Sequence, residues 1–241
     1  MRLDKMVALS GVSRKDAKKV IASGRVKVNG EVIRDAGWVI PDDASIEIGG
    51  IKADIRTEIH IMIHKPAGVL TATEDARGEK TVLHLLPPAL QARKIGPVGR
   101  LDKDVTGLVI MTTDGQLAHR LISPKWENEK EYIAKVEGQL DESCAEQFSK
   151  GVPLKDFTAK PASLKILSAD ENESLCLVSV TEGKYHQVKR MLASVGHPVI
   201  TLHRQSIAGI RLDDALSQGE WRYLTDDETA YLYKITEMDT K

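Results

Sequence analysis

Four consecutive apolar residues, Leu108-Val109-Ile110-Met111, stand between a charged turn and an Asp114-Gly115 pair. A run this short, closed by turn residues at both ends, reads as a buried strand. A buried strand belongs to a covered sheet, so this run marks where a core must lie. The preceding turn brings Arg100, Asp102, Lys103 and Asp104 together behind Gly99. Loops at strand ends are where a rigid scaffold presents working side chains. The alternative is a solvated connection, and the rest of the chain has to choose between them.

Charge is distributed unevenly. Residues 1–34 hold nine Lys or Arg against three Asp or Glu, a balance of +6, whereas the 241-residue chain as a whole carries −1. A basic N-terminal module suggests a polyanionic partner, although short N-terminal segments are often basic by chance. Ser13-Arg14-Lys15-Asp16 has the form of a helix start, and Gly24 follows as its end. Ala17, Val20 and Ile21 fall on one face of that helix. Arg14 with Lys18, and Lys15 with Lys19, share the other. Residues 26–33 then alternate around Asn29-Gly30, a strong hairpin signal. A third strand over 45–48 ends at Gly49-Gly50, and the polar stretch 49–58 suits a linker. Residues 1–58 therefore read as one small module with its linker, and 59–241 as a second domain.

In the larger domain, Ile59, Ile61 and Ile63 alternate along a strand that Pro66 terminates. A short helix is expected over 81–86, stopped by Pro87-Pro88, and a second over 116–122, capped by Asp114. Strands are expected over 131–137, 162–168 and 174–180. Helices are expected over 142–150, ended by Gly151, and 186–195, ended by Gly196. Strands outnumber helices without regular alternation, so the expected class is α+β with a mixed, mainly antiparallel sheet.

No apolar run approaches the ~20 residues that span a bilayer, and MRLDKMVALSG lacks the apolar core of a secretory leader. Cys144 and Cys176 are too few for a disulfide framework. A reduced cytoplasm with no membrane partner is the expectation. P-loop, dinucleotide-binding and nucleophile-elbow motifs are all missing. Asp102, Asp104 and Asp114 could in principle hold magnesium, but Lys103 separates the first two, and loose carboxylate clusters are usually surface charge. Lys189 and Arg190 lie in the first turns of a helix, where a cation gains nothing from the dipole. Each therefore needs a partner anion, or is simply solvated.

Several blocks then occur together. Gly99-Arg100-Leu101-Asp102 with Thr106-Gly107-Leu108, Lys130-Glu131-Tyr132, the run from Glu182 to Met191, and Leu202-His203-Arg204 resemble, in order, the signature blocks of the ribosomal pseudouridine synthases. Residues 1–30 are similar to the small S4 RNA-binding domain. The match covers almost the whole chain and lies nearest the small-subunit branch.

The resemblance implies that Asp102 is the catalytic carboxylate, that Lys189 pairs with it, that Tyr132 packs against the target base and that Leu202 lines the pocket. Lys189 stands where more distant members carry Arg. Arg100 is available for the RNA backbone, while Lys103 and Asp104 are expected to be solvated turn residues. Arg14, Lys15, Lys18, Lys19, Arg25 and Lys27 are the expected RNA contacts of the S4-like module. Neither a metal nor an organic cofactor is implied. The expected partner is ribosomal RNA, most simply 16S rRNA in a ribosome assembly intermediate, met by a monomer. The alternatives are a 23S rRNA pseudouridine synthase, a non-catalytic S4-type assembly protein and a magnesium nuclease.

Overall fold

The computed structural model describes residues 1–10, 12–41, 44–53 and 58–239. It divides into two compact units, one formed by Met1–Ile59 with Leu86–Ile95, the other by His60–Leu85 with Gly96–Lys241.

In the first unit, helix α1 (Leu3–Ala8) precedes α2 (Arg14–Ala22). The Ser13 side chain caps α2 by accepting from the Asp16 amide. Helix α1 has no side-chain cap and only six residues, so no local signal marks it. Burial of Leu3 and Val7 on the face that meets Ala17 and Ile21 holds it instead. A fully buried aliphatic of this size stabilises by about 1.5–3 kcal/mol, more than a missing cap costs.

A four-stranded antiparallel sheet of β1 (Val26–Val28), β2 (Glu31–Val32), β3 (Ile46–Ile48) and β4 (Ile51–Lys52) completes the core in the order β2-β1-β3-β4. Asn29 and Gly30 both take positive φ (50° and 86°), as a two-residue hairpin turn requires. Gly49-Gly50 is a turn of the same kind, with φ of 59° and 84°. The stretch expected as a linker thus opens with a strand, Ile51 pairing with Ile48; its residues 54–57 lie outside the described ones. The short helix α3 (Pro88–Gln91) belongs to this unit, where Arg93 donates to the Leu9 carbonyl at 3.0 Å. Pro88 occupies its first turn, so the proline pair that ends one helix also begins another.

The second unit is built on a mixed sheet whose order is β13-β5-β7-β11-β8-β10-β9. Its strands are β5 (His60–Lys65), β6 (Gly96–Pro97), β7 (Thr106–Thr112), β8 (Lys130–Glu137), β9 (Ser163–Ala169), β10 (Glu173–Val180), β11 (Val199–Ile207), β12 (Ile210–Arg211) and β13 (Trp221–Tyr223). Among the strands of this sheet β7 and β11 pair in parallel; the other strand pairings are antiparallel. Helices α4 (Gly115–Ile122), α5 (Glu142–Lys150), α6 (Gln187–Ser194) and α7 (Asp226–Ile235) accompany it. The segment 82–85 is a single 3₁₀ turn. Met62, Leu108, Ile110, Leu117, Leu121, Leu232 and Tyr233 pack into one core, which anchors β7 and the turn ahead of it.

The β7–β11 pairing depends on Gly107. Its φ is +112°, and a Cβ there would stand 2.2 Å from the carbonyl oxygen of Arg204. Only glycine permits that approach. Strand β11 and helix α7 are absent from the expectations above. Thr225 and Glu228 form a capping box at the start of α7, a signal the sequence does carry.

Candidate active site

The turn ahead of β7 is fastened at several points. Lys65, the last residue of β5, is fully buried, and its Nζ donates to the carbonyls of Pro66 (2.9 Å), Lys103 (3.1 Å) and Val105 (2.7 Å). Thr71 accepts from the Leu101 amide at 3.2 Å and donates to the Leu101 carbonyl at 2.9 Å. Gly68 donates to the Lys103 carbonyl at 2.8 Å. With Leu101, Lys103 and Val105 held, Asp102 has little freedom except in its side chain. Burial pushes the Lys65 ammonium down to about 8, against the attraction of Asp104 and Asp102. No sequence signal singled out Lys65; a lysine at a strand end is ordinarily solvated.

Across from this turn, α6 begins at His186, whose backbone is left-handed (φ 51°). Lys189 reaches from the first turn of α6 to two carboxylates: Asp102 Oδ2 at 3.0 Å and Asp104 at 2.8 Å and 2.9 Å. His186 Nε2 lies 3.4 Å from Asp102 Oδ1. Burial works against the Lys189 ammonium, but hydrogen bonds to Asp104 and Asp102 outweigh it and hold its pKa above the usual lysine value. The same contact holds the Asp104 carboxyl below the usual carboxylate range. Asp104 is solvated, as expected of a turn residue, but the expectation is corrected in one respect: it is also a direct partner of Lys189. Lys103 is exposed, as expected of a solvated turn residue, and pairs with Glu79 at the surface. Arg190 finds Asp156, so both cations of this helix meet anions, offsetting the unfavourable end of the dipole.

Asp102 opens onto a cleft lined by Arg100, Leu101, Val105, Tyr132, Val188 and Leu202 among others. Tyr132 on β8 and Leu202 on β11 are buried and form apolar wall. Arg100 is exposed at the rim. Beneath the wall, buried Lys130 donates to the Asn128 carbonyl at 2.7 Å. Burial, and then the charge of Arg204, push its ammonium down to about 8 despite Glu182 nearby. Glu182 in turn accepts from the Gln187 side chain at 2.8 Å and the Lys160 amide at 2.7 Å.

Asp102, Arg100, Tyr132, Lys189 and Leu202 are thus brought to one cleft of the second unit. Arg14, Lys15, Lys18, Lys19, Arg25 and Lys27 are all exposed on the first unit. Lys19 is paired with Asp16 at 3.3 Å, and Arg25 donates to Ser23 at 3.2 Å. Among the described residues no group of three or more His, Cys, Asp or Glu is arranged to hold a metal. Asp114, one of the three carboxylates considered for magnesium, caps α4 and accepts from the Tyr233 hydroxyl at 3.0 Å. Among the described residues no helix is long and apolar enough to cross a membrane.

Residues 59–194 match the sequence pattern described as RNA pseudouridylate synthase, and residues 1–44 match that of the S4 domain. Ribosomal small subunit pseudouridine synthase A of Escherichia coli (strain K12) is 43% identical over 235 residues, which are 95% of this chain and 99% of that protein. Ribosomal large subunit pseudouridine synthase B of Bacillus subtilis (strain 168) is 36% identical, covering 98% of this chain and 97% of its own length. A solved crystal structure of pseudouridylate synthase shares 35% identity with a TM-score of 0.68, over 96% of this chain and 99% of that one. With both of its units matched, and Asp102 and Lys189 facing each other in the cleft of the second, the chain belongs to the RNA pseudouridylate synthase family and carries an S4 domain at its N-terminus.

Proposed function

We propose that this protein isomerises uridine to pseudouridine at a specific position of small-subunit (16S) ribosomal RNA, with Asp102 as the catalytic carboxylate. The observation that carries the reading is the ion pair of Asp102 and Lys189 at 3.0 Å, set in a cleft walled by Tyr132 and Leu202.

The reaction breaks the N1–C1′ bond, turns the uracil and joins C5 to C1′. The proton lost from C5 is balanced by one gained at N1, so no oxidant, reductant or second substrate is required. A carboxylate at the sugar can act as nucleophile or as proton acceptor. Lys189 keeps Asp102 aimed, and Asp104 fixes Lys189 from its other side. The apolar wall suits a step in which a detached base must be kept from water. Bringing the base out of its stack costs a few kcal/mol, least in a loop. Phosphate contacts from Arg100, and from Arg14, Lys15, Lys18, Lys19, Arg25 and Lys27 of the S4 unit, would offset that cost. In this reading the S4 unit holds RNA and the second unit does chemistry, as a cytoplasmic monomer acting on a ribosome assembly intermediate.

The similarity to a large-subunit synthase supports a second substrate, 23S rRNA. One experiment decides: map pseudouridine across both rRNAs from cells with and without the gene, and after complementation by wild type or Asp102→Asn. Loss of one 16S pseudouridine, restored by wild type and not by Asp102→Asn, is the expected result. A lost 23S site would move the substrate, and an unchanged map would remove the reading.

A further inference from the structure

Resting on that reading, we infer that Tyr185 and His186 form a stacking platform for the nucleobase adjacent to the target uridine. Tyr185 is 76% exposed, a costly state for an aromatic ring beside a cleft. Its ring lies on that of His186, with centroids 3.8 Å apart and planes 18° from parallel. His186 touches Asp102, so the stack starts at the reacting carboxylate and runs outward.

The platform is built rather than incidental. Lys184 and Gln187 close the turn beneath it, the Lys184 amide donating to Gln187 Oε1 at 2.9 Å and the Gln187 amide to the Lys184 carbonyl at 3.1 Å. Arg190 donates from its backbone to the His186 carbonyl at 2.9 Å. Lys184 Nζ sits 3.8 Å from the centroid of the Phe157 ring, and the Arg190 guanidinium 5.2 Å from it. The left-handed backbone of His186 sets its ring beneath that of Tyr185.

Tyr185 and His186 line a second, wider cleft together with Leu70, Arg100, Asp102 and Ile122. It is continuous with the inner one through Arg100, Asp102 and His186. Ile122, 45% exposed, supplies further apolar surface. A flat aromatic face, an apolar flank and cations at Arg100 and Lys184 match one ligand class: an unstacked base with its phosphates. Because the stack begins at Asp102, that base belongs to a nucleotide immediately next to the uridine in the inner cleft. The outer ring reads the presence of a base rather than its identity, since stacking tolerates all four.

The probe is an RNA copy of the mapped target loop with 2-aminopurine replacing the nucleotide on either side of the uridine. Full-length wild type should quench one of the two labelled RNAs. Tyr185→Ala should lose that quenching and raise the half-saturating RNA concentration roughly tenfold, the loss falling on half-saturation more than on maximal turnover. Tyr185→Phe and Tyr185→Trp should behave as wild type, because the ring and not the hydroxyl is used. No quenching by wild type at either neighbour, unchanged half-saturation in Tyr185→Ala, or a loss that Phe does not rescue would each overturn the platform. Wild type that releases no C5 tritium from uridine-labelled rRNA would instead defeat the proposed function, so the two failures are distinguishable.

Discussion

On α2 and the strand beside it, Arg14, Lys15, Lys18 and Lys27 stand in solvent, and none forms an ion pair among the described residues. In the second unit, Lys65, Lys130 and Lys189 are held by carbonyl or carboxylate oxygens at 2.7–3.1 Å. Exposed cations lose little by changing partners, since surface pairs are worth about 0–1 kcal/mol. They suit a polyanion whose phosphates exchange with salt. A cation taken out of water costs several kcal/mol unless its geometry is good, so each buried one is tied to a particular task. The difference teaches that charge removed from the first unit should alter affinity, and charge removed from the second should alter chemistry.

The largest break is expected at Asp102. Asp102→Asn keeps the shape but is neither nucleophile nor base, and tritium release should fall about 10³-fold or more. RNA affinity should stay unchanged; a fall in affinity of similar size would blur the division between the units.

Lys189→Met comes next, with a loss of about 10²-fold in single-turnover rate. It leaves two facing carboxylates without their shared cation. The Asp104 carboxyl, now held low by Lys189, should return upward, which a pH titration by NMR would read. An Asp104 that titrates as in wild type would show that the ion pair is not formed in solution.

Lys65→Met tests the buried cation under the turn. With its pKa at about 8 against 10.5 for an unfolded chain, Lys65 loses its proton first in the folded state. Between those values the unfolded chain binds more protons, so this group's contribution makes folding more favourable as pH rises. Activity should move the other way, since a neutral amine has two hydrogens for three carbonyls. Wild-type turnover should therefore fall above about pH 8 while Lys189, raised beyond 10.5, stays charged. Lys65→Met should be roughly tenfold slower at neutral pH and lack that alkaline limb. If the limb persists in Lys65→Met and vanishes in Lys130→Met, it belongs to Lys130, whose pKa is also about 8.

For the first unit, Lys15→Glu with Lys18→Glu should weaken RNA binding and flatten its salt dependence by about 0.7 log units per lost single-strand phosphate contact. Turnover at saturating RNA should be unaffected. Filter binding across salt concentrations measures both, and an unchanged slope would make α2 an ordinary solvated face. Lys18 is a better test than Lys19, which is engaged with Asp16. The smallest effect is expected from Asp104→Asn, about threefold in rate, because its carboxylate is largely solvated and Lys189 keeps Asp102. A loss as large as that of Asp102→Asn would give Asp104 a direct part in the chemistry.

Local patterns carried much of the architecture. The Asn29-Gly30 hairpin, the Ser13 cap, the Asp114 cap, α5 and the alternation of β8 and β10 each lie within one short window, where turn chemistry and side-chain period decide the outcome. The cleft residues Asp102, Tyr132, Lys189 and Leu202 were legible through motif resemblance, since each sits in a block of its own. Tertiary structure decided the rest. Strand β11, with Leu202-His203-Arg204-Gln205 in its middle, is too polar to read as a sheet interior. It stands there because Arg204 donates to the Leu108 carbonyl at 2.9 Å and Gly107 lets its backbone approach. Lys65 is buried because carbonyls 38 and 40 residues away accept from it. Asp104 gains a partner, still in solvent, from a lysine 85 residues later, and the segment 86–95 joins the first unit rather than the second. In each case both partners must be in place before either placement is favourable, and no local stretch of sequence contains both.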